Sequence, residues 1–484
     1  MRLLCCCFML AVSAMFGREA RTAERPNIVF ILADDLGVND LRCYGRQDQA
    51  TPRLDRLAEQ GMRFTSAYCA QPICSPSRAA IISGLSPARL HLTTFLPGRA
   101  DAPSQKLLHP QINQQLALEH TTIAEHLQAA GYATACIGKW HLGGAAFGPK
   151  EQGFDVVHAG KPNTSPSATE GGKGEFDLTA HAIDFVRANK DRPFFFYMPH
   201  NNPHIPLAAK SELIEKHKAS FNPLYAAVVE TLDESVGRLL DALDELKLSD
   251  KTLFIFTSDN GGLHVPELRE DAATHNSPFR AGKGYVYEGG LRIPLIVRLP
   301  GVVSAGKIID TPVINTDWLP TLLDLCDVPF DAKNSDGVSL APLLRGGELS
   351  VSARPLMWHF PHYTNQGGRP AGAIRIADWK LIEHYEDGRV ELFDLAHDPS
   401  EEHDLAAKEP NRVAKMQGQL VAWRASVNAQ ANTPNPNFDP AWYKRLYSDI
   451  DTSALKPDRT AAAMRSTLTD WRAGIDAVVA KPKP

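Results

Sequence analysis

The sequence lacks an excess of basic residues, internal repeats and long internal apolar runs. Its 484 residues contain 51 Lys and Arg against 56 Asp and Glu, a formal net charge of −5. A nucleic-acid-binding protein usually has the opposite balance, so we expect no nucleic-acid partner. Contents of 43% hydrophobic and 22% charged residues exclude collagen-like, coiled-coil, disordered and polytopic membrane classes. At this length we expect a large domain and a smaller one.

The N-terminal segment, residues 1–23, has the pattern of a secretory signal peptide. Arg2 supplies a short positive start, and residues 3–14 form an apolar run too short to span a bilayer as a mature helix. Residues 12–14, V-S-A, offer a small-residue cleavage site. An uncleaved anchor is the alternative. We therefore predict an exported protein, periplasmic or extracellular, with no membrane span after the signal is removed.

Cysteine is scarce and unevenly placed. Three of the eight cysteines fall at positions 5–7, inside the signal segment, and the remaining five are Cys43, Cys69, Cys74, Cys136 and Cys326. An exported protein of this size does not need a disulfide framework, and an odd count leaves one thiol over or chemically special. The sequence leaves open whether the other four form disulfides.

Short apolar runs alternate with amphipathic stretches over the first two thirds of the chain. Apolar runs predict strands at residues 27–32, 133–137, 194–198, 253–257 and 293–299. Helices are predicted from Thr51 and Pro52 onward and at residues 122–130, 177–187, 225–246 and 318–325. Buried strands separated by helices indicate an α/β fold with a large, mostly parallel sheet sandwiched between helices.

The pattern changes near residue 351. Short strands are predicted at residues 356–359, 373–376, 380–384 and 390–393, followed by a helix at 411–427. These elements suggest a small antiparallel sheet with a helix. We therefore divide the chain into a signal peptide (1–23), a catalytic α/β domain (24–350), a small C-terminal α+β subdomain (351–430) and a tail (431–484), which we expect to wrap the surface or be partly disordered.

Two polar clusters follow predicted core strands. Asp34 and Asp35 come after the first strand, and Asp259 and Asn260 come after the strand at 253–257. Ligands collect beyond the carboxyl ends of parallel strands, and carboxylate and amide oxygens suit a hard cation such as Ca²⁺ or Mg²⁺. Either cluster alone would be read as a helix cap or an Asx turn. Their matching positions favour a shared metal site.

A third segment, residues 74–84, reads C-S-P-S-R-A-A-I-I-S-G. Ser75 and Pro76 suit a helix start, which puts Cys74 at the positive end of the helix dipole with Arg78 one turn further on. Such a position stabilises negative charge on residue 74. A packed structural cysteine is the alternative.

These segments resemble the sulfatase family. Residues 74–78 match its C-x-P-S-R signature, and residues 138–143, G-K-W-H-L-G, match its second signature. The P-H-I-P segment at 203–206 and the lysine segment at 282–294 follow in the order of the family. The resemblance covers about residues 26–405. It implies an alkaline-phosphatase-like fold and the activity of a sulfuric ester hydrolase.

The resemblance also implies the maturation and the metal of the site. Cys74 would be oxidised to formylglycine, an aldehyde, by a formylglycine-generating enzyme. One Ca²⁺, rather than Mg²⁺, would be bound by Asp34, Asp35, Asp259 and Asn260 together with residue 74 itself.

The catalytic residues that the resemblance implies are Cys74, Arg78, Lys139, His141, His204 and Lys283. Arg78 and the cation would polarise the hydrated aldehyde, one hydroxyl of which attacks sulfur, and His141 would take the proton of the other hydroxyl. Lys139, Lys283 and His204 would bind the sulfate oxygens. Lys283 or His204 would protonate the leaving alcohol.

Few residues indicate the substrate. Arg89, His91, Arg99 and Lys106 form a basic segment after the helix at residue 75, which suits a sulfated sugar, although a solvated loop explains it nearly as well. His200, His264 and His275 are further candidates near the site. We predict an exported, calcium-dependent sulfatase acting on sulfate esters of carbohydrates. The alternatives are a phosphatase or phosphonate monoester hydrolase of the same superfamily and an inert sulfated-glycan-binding protein.

Overall fold

The computed structural model describes residues 25–161, 166–349 and 354–479. The predicted signal peptide, residues 1–23, and the predicted domain boundary at 350/351 lie outside these ranges. The described strands are β1 (Asn27–Ala33), β2 (Met62–Tyr68), β3 (Leu107–Leu108), β4 (Ala133–Ile137), β5 (Val156–His158), β6 (Phe194–Pro199), β7 (Thr252–Ser258), β8 (Arg292–Arg298), β9 (Lys307–Ile309), β10 (Val313–Ile314), β11 (Leu356–Phe360), β12 (Ala371–Ile376), β13 (Trp379–His384), β14 (Val390–Asp394) and β15 (Thr433–Pro434).

The described α-helices follow here in chain order. They are α1 (Pro52–Gln60), α2 (Cys74–Ser83), α3 (Pro87–Leu90), α4 (Ile123–Ala129), α5 (Gly171–Ala188), α6 (Ser211–Lys216), α7 (Pro223–Glu245), α8 (Glu288–Leu291), α9 (Trp318–Leu325), α10 (Ala341–Leu344), α11 (Pro410–Ser426), α12 (Pro440–Tyr443), α13 (Ala461–Thr467) and α14 (Thr469–Val479).

Nine strands form one large sheet in the order β10-β2-β8-β7-β1-β6-β4-β5, with β9 also paired to β2. Strand β8 runs antiparallel to β2 and β7, whereas the other pairs are parallel. The predicted α/β class with a large, mostly parallel sheet is confirmed. The sequence pattern did not predict β2, nor the reversed direction of β8.

Strand β1 shows why both faces of the sheet are covered. Ile28 and Phe30 point into a buried cluster shared with α2, α4 and α9, whereas Val29 and Ile31 point into a second cluster shared with α1, α5 and α7. Successive strand residues face opposite sides. A strand that is apolar on both sides therefore needs a helical layer on each face.

A small antiparallel sheet, β11-β12-β13-β14, carries α11 on one face, as predicted. A buried ionic cluster links this sheet to α8 of the large sheet. Lys380 on β13 places its Nζ 2.9 Å from Glu288 and 2.8 Å from Glu401, and all three side chains are fully buried. The cluster therefore fixes the small sheet against the segment that leads into β8.

The described residues after 431 form β15 and three helices, α12 to α14. Trp471 and Ile475 of α14 are buried in the same cluster as α7. Within the described ranges, no helix combines the length and the apolar character needed to cross a membrane.

Candidate active site

The two polar clusters meet at one edge of the large sheet. Strands β1 and β7 are parallel neighbours, in register up to Ala33 and Ser258, so the chain leaves both strands at the same edge. The backbone N–H of Asp35 donates to Asp259 Oδ1 at 3.1 Å, and Asn260 Nδ2 donates to Asp35 Oδ1 at 2.8 Å. The structure therefore brings together the predicted metal ligands, all of them buried.

Helix α2 brings Cys74 and Arg78 to the same place. The helix begins at Cys74, one residue before the start that Ser75 and Pro76 indicated, and Arg78 is fully buried. Its Nε and Nη2 donate to Asp259 Oδ2 at 2.9 and 2.8 Å, and its Nη1 donates to the carbonyl of Lys139 at 2.8 Å. Burial raises the pKa of Asp259 to about 7, although the positive charge of Arg78 acts to lower it.

Two lysines complete the charge pattern, each on a different aspartate. Lys139 Nζ lies 2.6 Å from Asp34 Oδ2, and Lys283 Nζ lies 2.6 Å from Asp35 Oδ2. Burial alone would raise the pKa of Asp34, but Lys139 and neighbouring cations hold it well below its usual range. Burial likewise opposes the charge of Lys283, but Asp35 raises its pKa above the ordinary lysine value.

Two oxygens of this set have no hydrogen-bond donor among the described residues, although Arg78 Nη2 lies 3.4 Å from one of them, Asp34 Oδ1. Asp34 Oδ1 and Asn260 Oδ1 are buried without a hydrogen bond from any described residue. Ligand atoms of Asp34, Asp35, Cys74 and His204 lie within 4.8 Å of one another. Buried polar atoms without partners are uncommon, and oxygen donors are those that a hard divalent cation prefers. The arrangement fits a Ca²⁺ or Mg²⁺ site beside residue 74.

The Cys74 side chain is 3% exposed, and burial raises the pKa of its thiol to about 12 against the effect of Lys139. An unmodified thiol in this place would keep its proton and be a weak nucleophile, because the thiolate is the reactive form. Cys74 and the other four described cysteines are all free, so none of them forms a disulfide.

Two predicted histidines flank the site as neutral rings. His141 Nε2 lies 2.9 Å from the carbonyl oxygen of Leu96, so this nitrogen carries the proton, and Nδ1 is buried with no partner among the described residues. His204 Nδ1 bonds to the carbonyl of Ile205, and its Nε2 lies 3.5 Å from Asp35 Oδ2. Burial lowers the pKa of both rings to about 3. Each ring therefore has one free nitrogen lone pair.

The loop that carries His204 is held from below by residues that the sequence pattern did not single out. Glu175 is fully buried, accepts from the backbone N–H groups of Asn201 and Asn202 at 3.2 and 3.1 Å, and bonds to His200 Nδ1 at 2.5 Å. Lys173 Nζ donates to the carbonyl of His204. The sequence feature that could have pointed to Lys173 and Glu175 is the polar, glycine-rich run at residues 171–175, just before a predicted helix.

The other candidate histidines do not line the site. His264 Nε2 bonds to the carbonyl of Thr452 at 3.0 Å, and His275 packs edge-on against the ring of Phe221 at 5.0 Å. His200, bonded to Glu175, supports the loop from behind.

A cavity of about 610 Å³ opens above Cys74. Its polar lining residues are Cys74, Lys139, His141, Lys161, Asn201, His204, Glu267, Lys283, Asn365 and Gln366. Its larger apolar lining residues are Ile73, Phe95, Trp140, Pro149 and Val157. Five of the six predicted catalytic residues line this cavity, and Arg78 lies behind them. The cavity therefore combines a cationic end with an apolar wall.

The basic segment after α2 contributes an aromatic side chain instead of charge. Phe95 lines the cavity, whereas none of the four basic residues of the segment is among the lining residues. Arg89 forms an ion pair with Asp336 at 2.7 Å, and Arg99 donates to the carbonyl of Thr364 at 2.8 Å. The charges of both residues serve contacts within the chain.

Comparison with known proteins places the chain among enzymes of one kind. A sequence model described as Sulfatase matches residues 26–328, and one described as N-sulphoglucosamine sulphohydrolase, C-terminal, matches residues 281–426. The two matches together span both sheets.

Full-length relatives agree with these matches. The chain is 31% identical to a sulfatase of Formosa agariphila over 87% of this chain and 93% of the relative. It is 34% identical to human arylsulfatase A over 79% of this chain and 84% of that protein. Among solved structures, Ps i-CgsB in complex with k-i-k-neocarrahexaose is 27% identical with a TM-score of 0.73, covering 95% of this chain and all of that one.

Proposed function

The chain belongs to the sulfatase family and is a sulfuric ester hydrolase, and we propose that it acts through a formylglycine made from Cys74 and a bound divalent cation. The observation that carries the proposal is the convergence of Cys74, three carboxylates, one amide and two lysines at one sheet edge, although their segments are far apart in sequence.

Asp34, Asp35, Asp259 and Asn260 would hold the cation beside residue 74. The buried oxygens of Asp34 and Asn260 that accept no hydrogen bond from the described residues support this assignment. We propose Ca²⁺, because an irregular set of carboxylate and amide oxygens suits its flexible coordination better than the strict octahedron of Mg²⁺. When bound, the ion would stabilise negative charge on the attacking oxygen.

Formylglycine at position 74 would supply, as its hydrate, the hydroxyl that attacks the sulfur atom. Lys139 and Lys283, which line the cavity, would bind the sulfate oxygens and balance the charge that develops on them. His141 would accept a proton at Nδ1, because its Nε2–H is held by the carbonyl of Leu96. Arg78 would orient Asp259.

The leaving alcohol needs a proton, and two side chains are placed to supply it. Lys283 carries protons on Nζ at the cavity wall, whereas the neutral ring of His204 would first have to take up a proton at Nε2, beside Asp35. We assign the role to one of these two residues. A Lys283→Ala variant would lose more activity on esters with poor leaving groups than on activated aryl esters if Lys283 is the donor.

We propose that the natural substrates are sulfated sugars. The apolar wall made by Phe95, Trp140 and Val157 suits the C–H face of a sugar ring, and the solved structure with a bound oligosaccharide supports the same class. We further propose that the chain is exported and that a formylglycine-generating enzyme converts Cys74 before the protein folds around it.

The test is mass spectrometry of the peptide spanning residue 74, together with hydrolysis of an aryl sulfate. The peptide should contain a lighter aldehyde in place of the thiol, and activity should follow the converted fraction. Cys74→Ala should abolish hydrolysis, whereas Cys43→Ala, at a half-buried position outside the cavity, should retain it. Full activity with an unmodified thiol would overturn the mechanism.

The metal has a separate test. Chelation should abolish hydrolysis, and added Ca²⁺ should restore it and raise Tm, because an ion that binds only the folded state stabilises that state. Asp35→Asn should weaken Ca²⁺ binding in calorimetry. Full activity and unchanged Tm after complete chelation would contradict the metal assignment.

A further inference from the structure

One wall of the cavity is built from residues that the catalytic assignment does not use. Glu267 lies in the loop between β7 and α8, and Asn365 and Gln366 come from the loop between β11 and β12 of the small sheet. All three line the cavity together with Lys283. The substrate pocket is therefore shared between the large and the small sheet.

Hydrogen bonds to Glu267 fix the orientation of both amides. Gln366 Nε2 lies 2.6 Å from one carboxylate oxygen, and Asn365 Nδ2 lies 3.2 Å from the other. A carboxylate only accepts hydrogen bonds, so both NH₂ groups must face Glu267. The amide oxygens Asn365 Oδ1 and Gln366 Oε1 must then face elsewhere.

These two amide oxygens have nothing to accept from. Both are buried without a hydrogen bond from the described part of the chain. Buried acceptors without a donor are uncommon in folded proteins, and each one needs an explanation. The two amides therefore use their NH₂ groups to hold Glu267 in place, and the carboxylate of Glu267 is the acceptor of this wall.

The charge pattern of the cavity is equally one-sided. Among the described residues that line it, Glu267 alone carries a carboxylate. Lys139 and Lys283 lie at the end near Cys74, and the third lysine of the lining, Lys161, is paired with Glu170 outside it. A sulfate ester would place its anionic group among the lysines and its alcohol part near Glu267. A second anionic group on the alcohol part would meet a like charge, and a donor group would meet an acceptor.

We infer that Glu267, with the two amides that it orients, is the specificity-determining wall of this site. It accepts hydrogen bonds from hydroxyl, amide N–H or ammonium groups of the substrate and disfavours a second anionic group. The enzyme is thus directed to neutral or amino sugars that carry a single sulfate at the reacting end. The inference rests on the proposed function of the cavity as the sulfate-ester site.

Matched aryl sulfates test the wall, whichever sugar is the natural substrate. Phenyl sulfates with a hydroxymethyl, aminomethyl or carboxymethyl group, each at the meta or para position, share one reacting centre and differ in the charge offered to the wall. In the converted wild-type enzyme, kcat/KM should be about tenfold lower for the carboxymethyl compounds than for the others, because like charges repel across a desolvated site.

Changing the charge of Glu267 should change this ratio stepwise. Glu267→Gln should bring the carboxymethyl and hydroxymethyl compounds close to equal kcat/KM, and Glu267→Lys should reverse their order. Glu215→Gln removes a carboxylate from exposed helix α6 and should leave the ratio at its wild-type value. Two substitutions of opposite character guard against a single variant that fails to fold.

The outcomes separate the two proposals. A substrate ratio that is the same in wild type, Glu267→Gln and Glu267→Lys would overturn the assignment of the wall and leave sulfatase function intact. No turnover of any of these sulfate esters by fully converted protein would overturn the proposed function and the wall together. A stepwise shift of the ratio supports both.

Discussion

Replacing Glu175 should disable the enzyme although this residue does not touch the cavity. Its carboxylate is the shared acceptor for the loop between β6 and α6, bonding to the N–H groups of Asn201 and Asn202 and to His200 Nδ1. The same loop carries His204 into the cavity. Glu175→Ala removes all three bonds without altering any lining side chain.

The size of the effect follows from those contacts. A buried donor left without a partner costs roughly 1–3 kcal/mol, and three such donors, partly relieved by water, amount to about 3–6 kcal/mol within one short loop. A loop loosened by this amount shifts His204, and a displacement of about 1 Å of a catalytic group lowers a rate by about 100-fold. Glu175→Gln keeps one acceptor oxygen for the two backbone N–H groups, so its loss should be nearer tenfold.

The assay is steady-state hydrolysis of an aryl sulfate by fully converted protein, with kcat and KM determined separately. Most of the loss should fall on kcat, because Lys139 and Lys283, the proposed sulfate ligands, pair with Asp34 and Asp35 and not with this loop. Asp177→Asn is the matched control, since Asp177 lies two residues later on the same helix and is 54% exposed. It should keep kcat within about twofold of wild type, as surface substitutions usually do.

Two results would refute the reasoning. One is a Glu175→Ala enzyme with the kcat of Asp177→Asn, which would show that the loop does not need its buried acceptor. The other is a loss that appears only in KM, which would place the effect on substrate binding instead of the position of His204. Near-ultraviolet circular dichroism should remain close to wild type, so that a global loss of structure is recognised separately.

Three other perturbations test the scaffold around the site. Lys380→Met should lower Tm by several degrees more than a lysine-to-methionine substitution at an exposed control position. Removing one partner of a buried ionic cluster, which here includes Glu401, costs about 3–5 kcal/mol. Equal shifts of Tm in the two variants would contradict this. Burial lowers the pKa of His359 from 6.5 to about 4. As the pH falls, the unfolded chain therefore binds a proton at this residue before the folded chain does. The stability that the neutral ring contributes is complete above pH 6.5 and is lost as the pH falls towards 4. His359→Gln should therefore flatten the fall of Tm across that window, and an unchanged slope would refute the assignment. Gly138→Ala should abolish hydrolysis, because the added Cβ would lie 2.0 Å from the carbonyl oxygen of Pro199. A variant with the wild-type kcat would show that the backbone can move there without loss of activity.

The parts of the fold that could be predicted are those in which local pattern and burial agree. Residues 28–32 are apolar on both sides of the strand, which favours a position between two helical layers, and β1 indeed lies near the middle of the sheet. Strand β2 was missed because Arg63, Thr65 and Ser66 interrupt its apolar pattern. The direction of β8 could not be predicted either, since an apolar run looks the same in both directions.

The start of α5 shows a different obstacle. The pattern predicts a helix from residue 177, whereas the described helix begins at Gly171 with non-helical backbone at residues 172–174. Glycines at these positions break the apolar periodicity, so Lys173 and Glu175 look like loop residues. Their partners lie about 30 residues further along the chain, and the two segments meet because α5 begins near the point where β6, the next element, ends.

The sequence named residues that the structure brings together at one place, but it could not predict which of them pair. Motif resemblance named Lys139 and Lys283 alike, yet the structure gives each a different aspartate, Asp34 for the first and Asp35 for the second. Arg78 then links the Lys139 backbone to the proposed metal ligands, because it donates both to the Lys139 carbonyl and to the carboxylate of Asp259. Because these groups share partners, the loss of activity on replacing one of them depends on which others remain. The free-energy effects of substitutions in such a network do not add. Double-variant measurements on the two lysines therefore carry information that no alignment of motifs contains.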